Sequence, residues 1–320
     1  MISYSSPGKV ILSGEHAVVY GKPALVSAID KKLTLSLFSP LEKAGRSKIK
    51  NLKEDNNKNI KVIEEIVKKY LSKEKIKFKK RDYFFSLNSE IPIGRGLGSS
   101  AAFSVAAASS FLEFYTGKQF SQEIINNLAY EGEKYFHKNP SGVDSTASCF
   151  GGLIYFRKEF EFLKNISLLN FKIPKKIEDC LYLIDSGQPE ESTSKMVAYV
   201  KEKYNKQPNV VEEVFNQIEK TTKRMVVSII KKDESLFIDS LLNNQSYLEV
   251  LDVVSKKTKK LLQDLANFGI GKITGAGGRK KGSGFILFYA KKKNQLEDYL
   301  RKKKINFFKF KQDYQGVKKL

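Results

Sequence analysis

The sequence predicts an α+β fold, and three observations lead there. Strand-like and helix-like stretches interleave without the regular strand–helix beat of a doubly wound sheet. The first third carries mostly strand patterns, whereas the centre carries long helical ones. Of the 320 residues, 41% are hydrophobic, 12% aromatic and 29% charged, enough apolar material for a buried core and too much for a wholly disordered chain.

Taken in order, residues 24–29 form a short apolar run, and Leu33, Leu35 and Leu37 alternate with Thr34 and Ser36, the period of a half-buried strand. The lysine- and asparagine-rich stretch from Lys43 to Asn59 reads as a surface loop, and a helix is expected over about 60–71. Residues 83–87 suit a strand, closed by Ile91-Pro92-Ile93-Gly94. The stretch 99–115 is small and apolar nearly all round, the mark of a buried, closely packed helix. A second helix spans about 121–136, with Ser121 suited to cap it and Glu123 in its first turn. Residues 151–156 read as a strand. Charge and proline then interrupt the pattern from Lys158 to Lys176, which divides the chain into domains 1–170 and 171–320. The second half opens with a strand at 181–184 and a loop ending in Ser192-Thr193. Three or four amphipathic helices follow between about 194 and 267. Strands at 272–273 and 284–289, a lysine-rich helix and a strand at 305–308 complete it. No internal repeat is found.

The net charge of +22 is the loudest bulk signal. Only seven of the 57 basic residues are arginine, the residue suited to bidentate recognition of bases and phosphates. Most lysines stand beside Glu and Asp on amphipathic helices, as in residues 61–70, so the reading is a solvated face with some steering of an anionic substrate, and no nucleic-acid partner. No apolar run approaches the ~20 residues of a membrane span. The first residues lack the pattern of a secretory signal. Cys149 and Cys180, with His16 and His137, are too few for a disulfide framework or a structural zinc site. A cytoplasmic protein with no membrane partner is expected.

Four segments carry chemistry. In Gly94-Arg95-Gly96-Leu97-Gly98-Ser99-Ser100, three glycines in five positions free backbone N–H groups, and the two serines open a helix whose N-terminus favours an anion. A serine at that place is also a Mg²⁺ ligand type. The bland alternative is a glycine-rich turn with a serine cap. Around Pro7-Gly8-Lys9, a lysine held in a tight turn is a fixed charge, and Glu15-His16 follow Gly14 ahead of an apolar run; a surface hairpin is the alternative. Glu133 and His137 share a helix face, and Asn139-Pro140-Ser141-Gly142 is a turn that leaves Asp144 near a helix start. One carboxylate for metal and one for a hydroxyl proton is what phosphoryl transfer to an alcohol requires, although Asp144 also suits a plain helix-start charge. Last, residues 271–284 hold a second glycine-rich turn, able to close over a substrate or to be a loose hairpin.

In this order, the segments resemble the GHMP kinases over essentially the whole chain. Residues 94–102 look like that superfamily's phosphate loop. Residues 7–12, 14–21 and 139–144 resemble its mevalonate kinase branch in particular. The resemblance implies a two-domain fold, an N-terminal domain like the second domain of ribosomal protein S5 and a ferredoxin-like C-terminal domain. It also implies transfer of the γ-phosphoryl of ATP to the C5 hydroxyl of mevalonate. Asp144 would accept or orient the hydroxyl proton, with Lys9 beside that oxygen. The backbone of Gly94, Arg95, Gly96, Leu97, Gly98 and Ser99 would wrap the phosphates, and Ser100 and Glu133 would hold Mg²⁺. Glu15, His16, Ser192, Thr193, Thr274, Gly275 and Ala276 would line the mevalonate side. A homodimer is an assembly common among such proteins. Kinases for phosphomevalonate, homoserine or a sugar, and a catalytically silent GHMP-fold regulator, are the alternatives. Glu15-His16 speaks against homoserine, the chain length against galactose, and the presence of Lys9, Asp144 and Glu133 against silence. One departure stands out: after Thr274-Gly275-Ala276-Gly277-Gly278 the family's further glycines give way to Arg279-Lys280-Lys281. They read as a solvated insertion, with a contact to phosphate or carboxylate as the alternative.

Overall fold

A computed structural model describes residues 1–40, 57–136, 140–158 and 164–320. In chain order the elements are β1 (Ile2–Ser13), β2 (Ala24–Phe38), α1 (Asn57–Lys73), β3 (Phe84–Ser89), α2 (Ser99–Thr116), α3 (Gln122–Phe136), α4 (Val143–Phe150), β4 (Leu153–Lys158), β5 (Lys164–Leu169), α5 (Lys175–Glu178) and β6 (Leu181–Asp185). Then come α6 (Thr193–Lys206), α7 (Pro208–Lys231), α8 (Glu234–Val250), α9 (Lys256–Leu265), β7 (Gly269–Ile273), β8 (Phe285–Ala290), α10 (Lys293–Lys302), β9 (Phe307–Lys309) and β10 (Lys318–Lys319). Two stretches of the sequence reading, the loop expected from Lys43 and the helix-face partner His137 with Asn139, lie outside the described residues, except that α1 already begins at Asn57.

The strands make two sheets, of orders β10-β1-β2-β4-β5, with β3 also on β2, and β7-β8-β6-β9. Every pairing between these strands is antiparallel, in line with the α+β reading and not with a doubly wound sheet. One expectation is corrected here. Pro7-Gly8 do not make a tight turn: β1 runs on through them, paired to β2, with its register shifted between Pro7 and Gly8. Proline has no N–H for the ladder, and a bulge takes up the missing bond while re-aiming the next side chain, Lys9.

Helix α2 shows why a nearly uniform small-residue pattern means burial. Ala101, Ala102, Val105, Ala106, Ala107, Ala108 and Phe111 are all buried, and the helix packs on β1, β2, α1, α3 and α4. Its short side chains leave no outward apolar stripe to place, so neighbours approach on every side. A second core lies between the β7-β8-β6-β9 sheet and the helices that follow, joining Ile184, Ile273, Ile286 and Phe288 to Phe215, Leu248 and Leu296. Helices α7 and α8 also reach β1, so elements from both halves of the chain meet along that strand.

Candidate active site

Lys9 lies on β1 and Asp144 in the first turn of α4, and the fold brings Lys9 Nζ to 3.1 Å from Asp144 Oδ1. The lysine side chain is 3% exposed and the aspartate 38%, so a buried cation stands behind a carboxylate that opens to solvent. A lysine is rarely this buried without a partner. Its backbone is fixed too: Lys9 N donates to the Leu97 carbonyl at 3.0 Å.

That carbonyl belongs to the glycine loop. Gly94, Gly96 and Gly98 all have positive φ, of 69°, 83° and 75°, and Gly98 is the residue that opens α2. A side chain at Gly98 would place its Cβ 2.8 Å from Lys9 Cγ, so the glycine is required by its conformation and by the lysine stem packed against it. Leu97 is buried and anchors the loop, whereas Gly94 and Gly96 face solvent. Arg95 does not present its side chain as a phosphate ligand: its guanidinium grips both oxygens of Asp185 at the end of β6. The backbone of the loop and the half-buried Ser99 and Ser100 remain at the mouth of α2, where N–H groups and the helix dipole favour an anion.

Glu133, on α3, is 3% exposed and faces α2, with Ser100 Oγ 3.4 Å and Ser104 Oγ 3.5 Å from its carboxylate oxygens. Burial, and then the charge of Asp144, push its carboxyl up to about 8. A buried carboxylate that is costly to ionise, beside a second carboxylate and a hydroxyl, offers oxygen donors that would suit a hard divalent cation. Among the described residues no cluster of three or more His, Cys, Asp or Glu could hold a metal by itself.

Further along the chain from Lys9, at residues 11–15, lies a wholly buried polar network. Lys272 of β7 is 0% exposed and ion-pairs with Glu15, 1% exposed; its ammonium also donates to the Ile11 carbonyl at 3.3 Å. Burial lowers the pKa of Lys272 despite Glu15, and Lys9 pushes in the same direction. Asn244 Nδ2 donates to Glu15 at 3.2 Å, Ser13 Oγ donates to Asn244 Oδ1 at 2.8 Å, and Ser13 meets Thr222 at 2.7 Å. His16, at φ 60°, is also buried; its Nε2 donates to the Ala276 carbonyl at 3.0 Å, and burial pulls its pKa down to about 4, so the ring is neutral. The Thr274 hydroxyl accepts from Ile11 N at 3.0 Å, and Gly275 packs on Gly96. Glu15, His16, Thr274, Gly275 and Ala276 are therefore brought together beside the glycine loop. Ser192 and Thr193 are exposed at the start of α6, where Ser192 Oγ caps the helix by accepting from Lys195 N.

Lys272, Asn244, Ser13 and Asp185 were not among the residues expected from the sequence. The signal for Lys272 was there: a lysine inside the strand pattern Gly271-Lys272-Ile273, directly ahead of Thr274-Gly275. A charge in a core strand needs a buried partner, and Glu15 in its odd apolar setting was waiting for one.

Comparison with known proteins bears on this arrangement. The family model for the N-terminal domain of GHMP kinases matches residues 57–152. Mevalonate kinase of Pyrococcus abyssi is 32% identical over 315 residues, spanning 87% of this chain and 86% of the relative. The chain belongs to the mevalonate kinase family of GHMP kinases. Another family member, from Archaeoglobus fulgidus, is 32% identical and spans 86% of this chain and 88% of its own length. Among solved structures, Methanococcus jannaschii mevalonate kinase superposes with a TM-score of 0.76 at 24% identity, covering 97% of this chain and 98% of that one. L. major mevalonate kinase in complex with R-mevalonate superposes at 0.74 and 21% identity, covering 96% and 94%. At these identities the structures speak for the fold, which is the two-domain GHMP kinase fold expected from the motifs.

Proposed function

We propose that this chain transfers the γ-phosphoryl of ATP to the C5 hydroxyl of mevalonate, the activity of its family, with Asp144 and Lys9 as the catalytic pair. The observation that carries the reading is the buried Lys9 held 3.1 Å from a solvent-open Asp144 beside a glycine loop at a helix N-terminus. Asp144 takes the hydroxyl proton while the C5 oxygen attacks the γ-phosphorus. The new O–P bond forms as the bond from that phosphorus to the β,γ-bridging oxygen breaks, leaving ADP. Lys9 faces the same oxygen and balances the negative charge that develops there. Loop N–H groups from Gly94 to Ser99 hold the phosphates in line, and positioning supplies most of the barrier reduction. The donors of Ser100 and Glu133 fit Mg²⁺, which when bound neutralises phosphate charge. Neutral His16 and the Thr274–Ala276 turn form the mevalonate side together with Ser192 and Thr193. No helix among the described residues is long and apolar enough to cross a membrane; a cytoplasmic enzyme, active alone or as a homodimer, fits this reading.

The test is ADP release with Mg-ATP on mevalonate, homoserine, galactose and phosphomevalonate in parallel, with ³¹P NMR of the product. Turnover confined to mevalonate, giving a 5-phosphate ester, is expected. Turnover on a different alcohol alone overturns the substrate, and silence on all four overturns the activity.

A further inference from the structure

The insertion Arg279-Lys280-Lys281 is the part of the third motif that the reaction leaves without a role. In the structure its three residues are exposed, as a solvated insertion would be, and each is also ion-paired. Its base is laid on the segment after β6: Gly282 N donates to the Gln188 carbonyl at 3.4 Å and Gly284 N to the Gly187 carbonyl at 3.0 Å. A buried hydroxyl chain backs this contact, with Ser283 N donating to Ser186 Oγ and Ser255 N to Ser283 Oγ, both at 3.0 Å.

The tip is held by a different set. Arg279 donates to the Asp252 carboxylate from Nε at 3.0 Å and lies 2.8 Å from it through Nη2, while its guanidinium stacks 4.0 Å from the centre of the Tyr199 ring. The Tyr199 hydroxyl donates to the same carboxylate at 2.8 Å. Arg279 N donates to Glu191 at 3.3 Å, one residue before Ser192. Lys280 and Lys281 both reach Glu190, at 3.1 and 3.6 Å. The segment so held starts at Asp185, which grips Arg95 of the glycine loop, and ends in the Ser192 cap of the helix that carries Tyr199.

We propose that the insertion is a clamp on residues 191–199, from Glu191 to Tyr199, with Arg279 as its positioning residue, and that it sets Ser192 and Thr193 for the carboxylate-bearing alcohol. This rests on the mevalonate reading above. Arg279 carries the clamp because its planar guanidinium brings two nitrogens to one Asp252 oxygen while stacking on Tyr199, which lysine cannot copy. The Arg279 pair is exposed as well, but Lys280 and Lys281 are more so and, among the described residues, have no ring to stack on, so their pairs are of the kind that contribute little.

The experiment compares wild type with Arg279→Ala, Arg279→Lys and the double variant Lys280→Ala/Lys281→Ala. Hydrogen exchange over residues 191–199 in substrate-free protein is read beside the KM values for mevalonate and ATP. Arg279→Ala is expected to speed exchange in that segment about tenfold and to raise the mevalonate KM about five- to tenfold, as local opening becomes easier. The ATP KM and kcat are expected to stay within about twofold. Arg279→Lys should behave like the alanine variant, and the double lysine variant like wild type. Unchanged exchange in Arg279→Ala overturns the clamp, as does full rescue by Arg279→Lys. An unchanged mevalonate KM with only a lower melting temperature overturns the substrate role. If the wild type does not phosphorylate mevalonate, the activity reading falls, and the exchange comparison still decides whether Arg279 holds the segment.

Discussion

Glu133 makes the stability of the substrate-free protein fall as pH rises. Its carboxyl ionises at about 8 in the folded chain against 4.5 for an ordinary glutamate, because of burial first and Asp144 second. The folded state therefore holds the proton more tightly than the unfolded state does. Relative to a neutral isostere, stability is fully present below pH 4.5, declines from there to about pH 8, and is level above. At ~1.4 kcal/mol per unit, a shift of this size corresponds to roughly 5 kcal/mol, and relaxation around the charge brings the expected loss to about 2–4 kcal/mol. The assay is urea unfolding of wild type and Glu133→Gln at pH 5, 6, 7, 8 and 9, since glutamine stands in for the protonated acid and cancels every other titration. The gap between the two proteins should widen in favour of the variant up to pH 8 and then stop. A constant gap across the series would refute the reasoning. In the presence of Mg²⁺ and a non-hydrolysable ATP analogue the trend should reverse for wild type, and the variant should need more Mg²⁺ for turnover.

Asp144→Asn should lower kcat by about 10²–10⁴-fold with melting temperature little changed, which steady-state kinetics and a thermal scan would check; near-normal turnover would remove Asp144 from the chemistry. Lys272→Met leaves Glu15 buried and unpaired, so urea unfolding should show a loss of about 3–5 kcal/mol, part of which Glu15→Gln should restore in the double variant. Gly98→Ala meets both a left-handed backbone and the Lys9 stem at 2.8 Å. It should cost about 1 kcal/mol from the backbone alone and displace the lysine, lowering kcat at least about tenfold. Unaltered kinetics there would mean that the lysine stem moves aside freely.

The elements with strong periodicity or uniform burial were legible. Helix α2 announced itself by small apolar residues on all sides, and β2 by the alternation through Leu33, Leu35 and Leu37. The turn-making glycines of residues 94–98 and the helix-start position of Asp144 were legible for the same reason, that local chemistry dictates local geometry. What could not be read locally was pairing over distance. β5 and β10 are short or exposed strands whose existence depends on a partner edge, and nothing in Lys318-Lys319 signals a strand. Proline suggested a turn at Pro7, yet the long pairing with β2 outweighed that local preference. The Glu15–Lys272 pair spans most of the chain, so each half appeared only as an oddly placed charge.

The strand that carries Lys9 is paired along its length to β2, and the start of its other edge is covered by β10, where Tyr4 and Ser5 pair with Lys319 and Lys318. The same terminal segment braces the helix of Asp144, since Val317 N donates to the Cys149 carbonyl, and its Lys319 shares Glu113 with the Tyr4 hydroxyl. Ribosomal synthesis therefore makes the catalytic strand first and its edge cover more than 300 residues later. Throughout translation the nascent sheet carries an open, hydrogen-bond-hungry border at the start of the strand that holds Lys9. A stalled or truncated chain is left with that border exposed, and a cell would meet it as a sticky fragment and not as a weak enzyme.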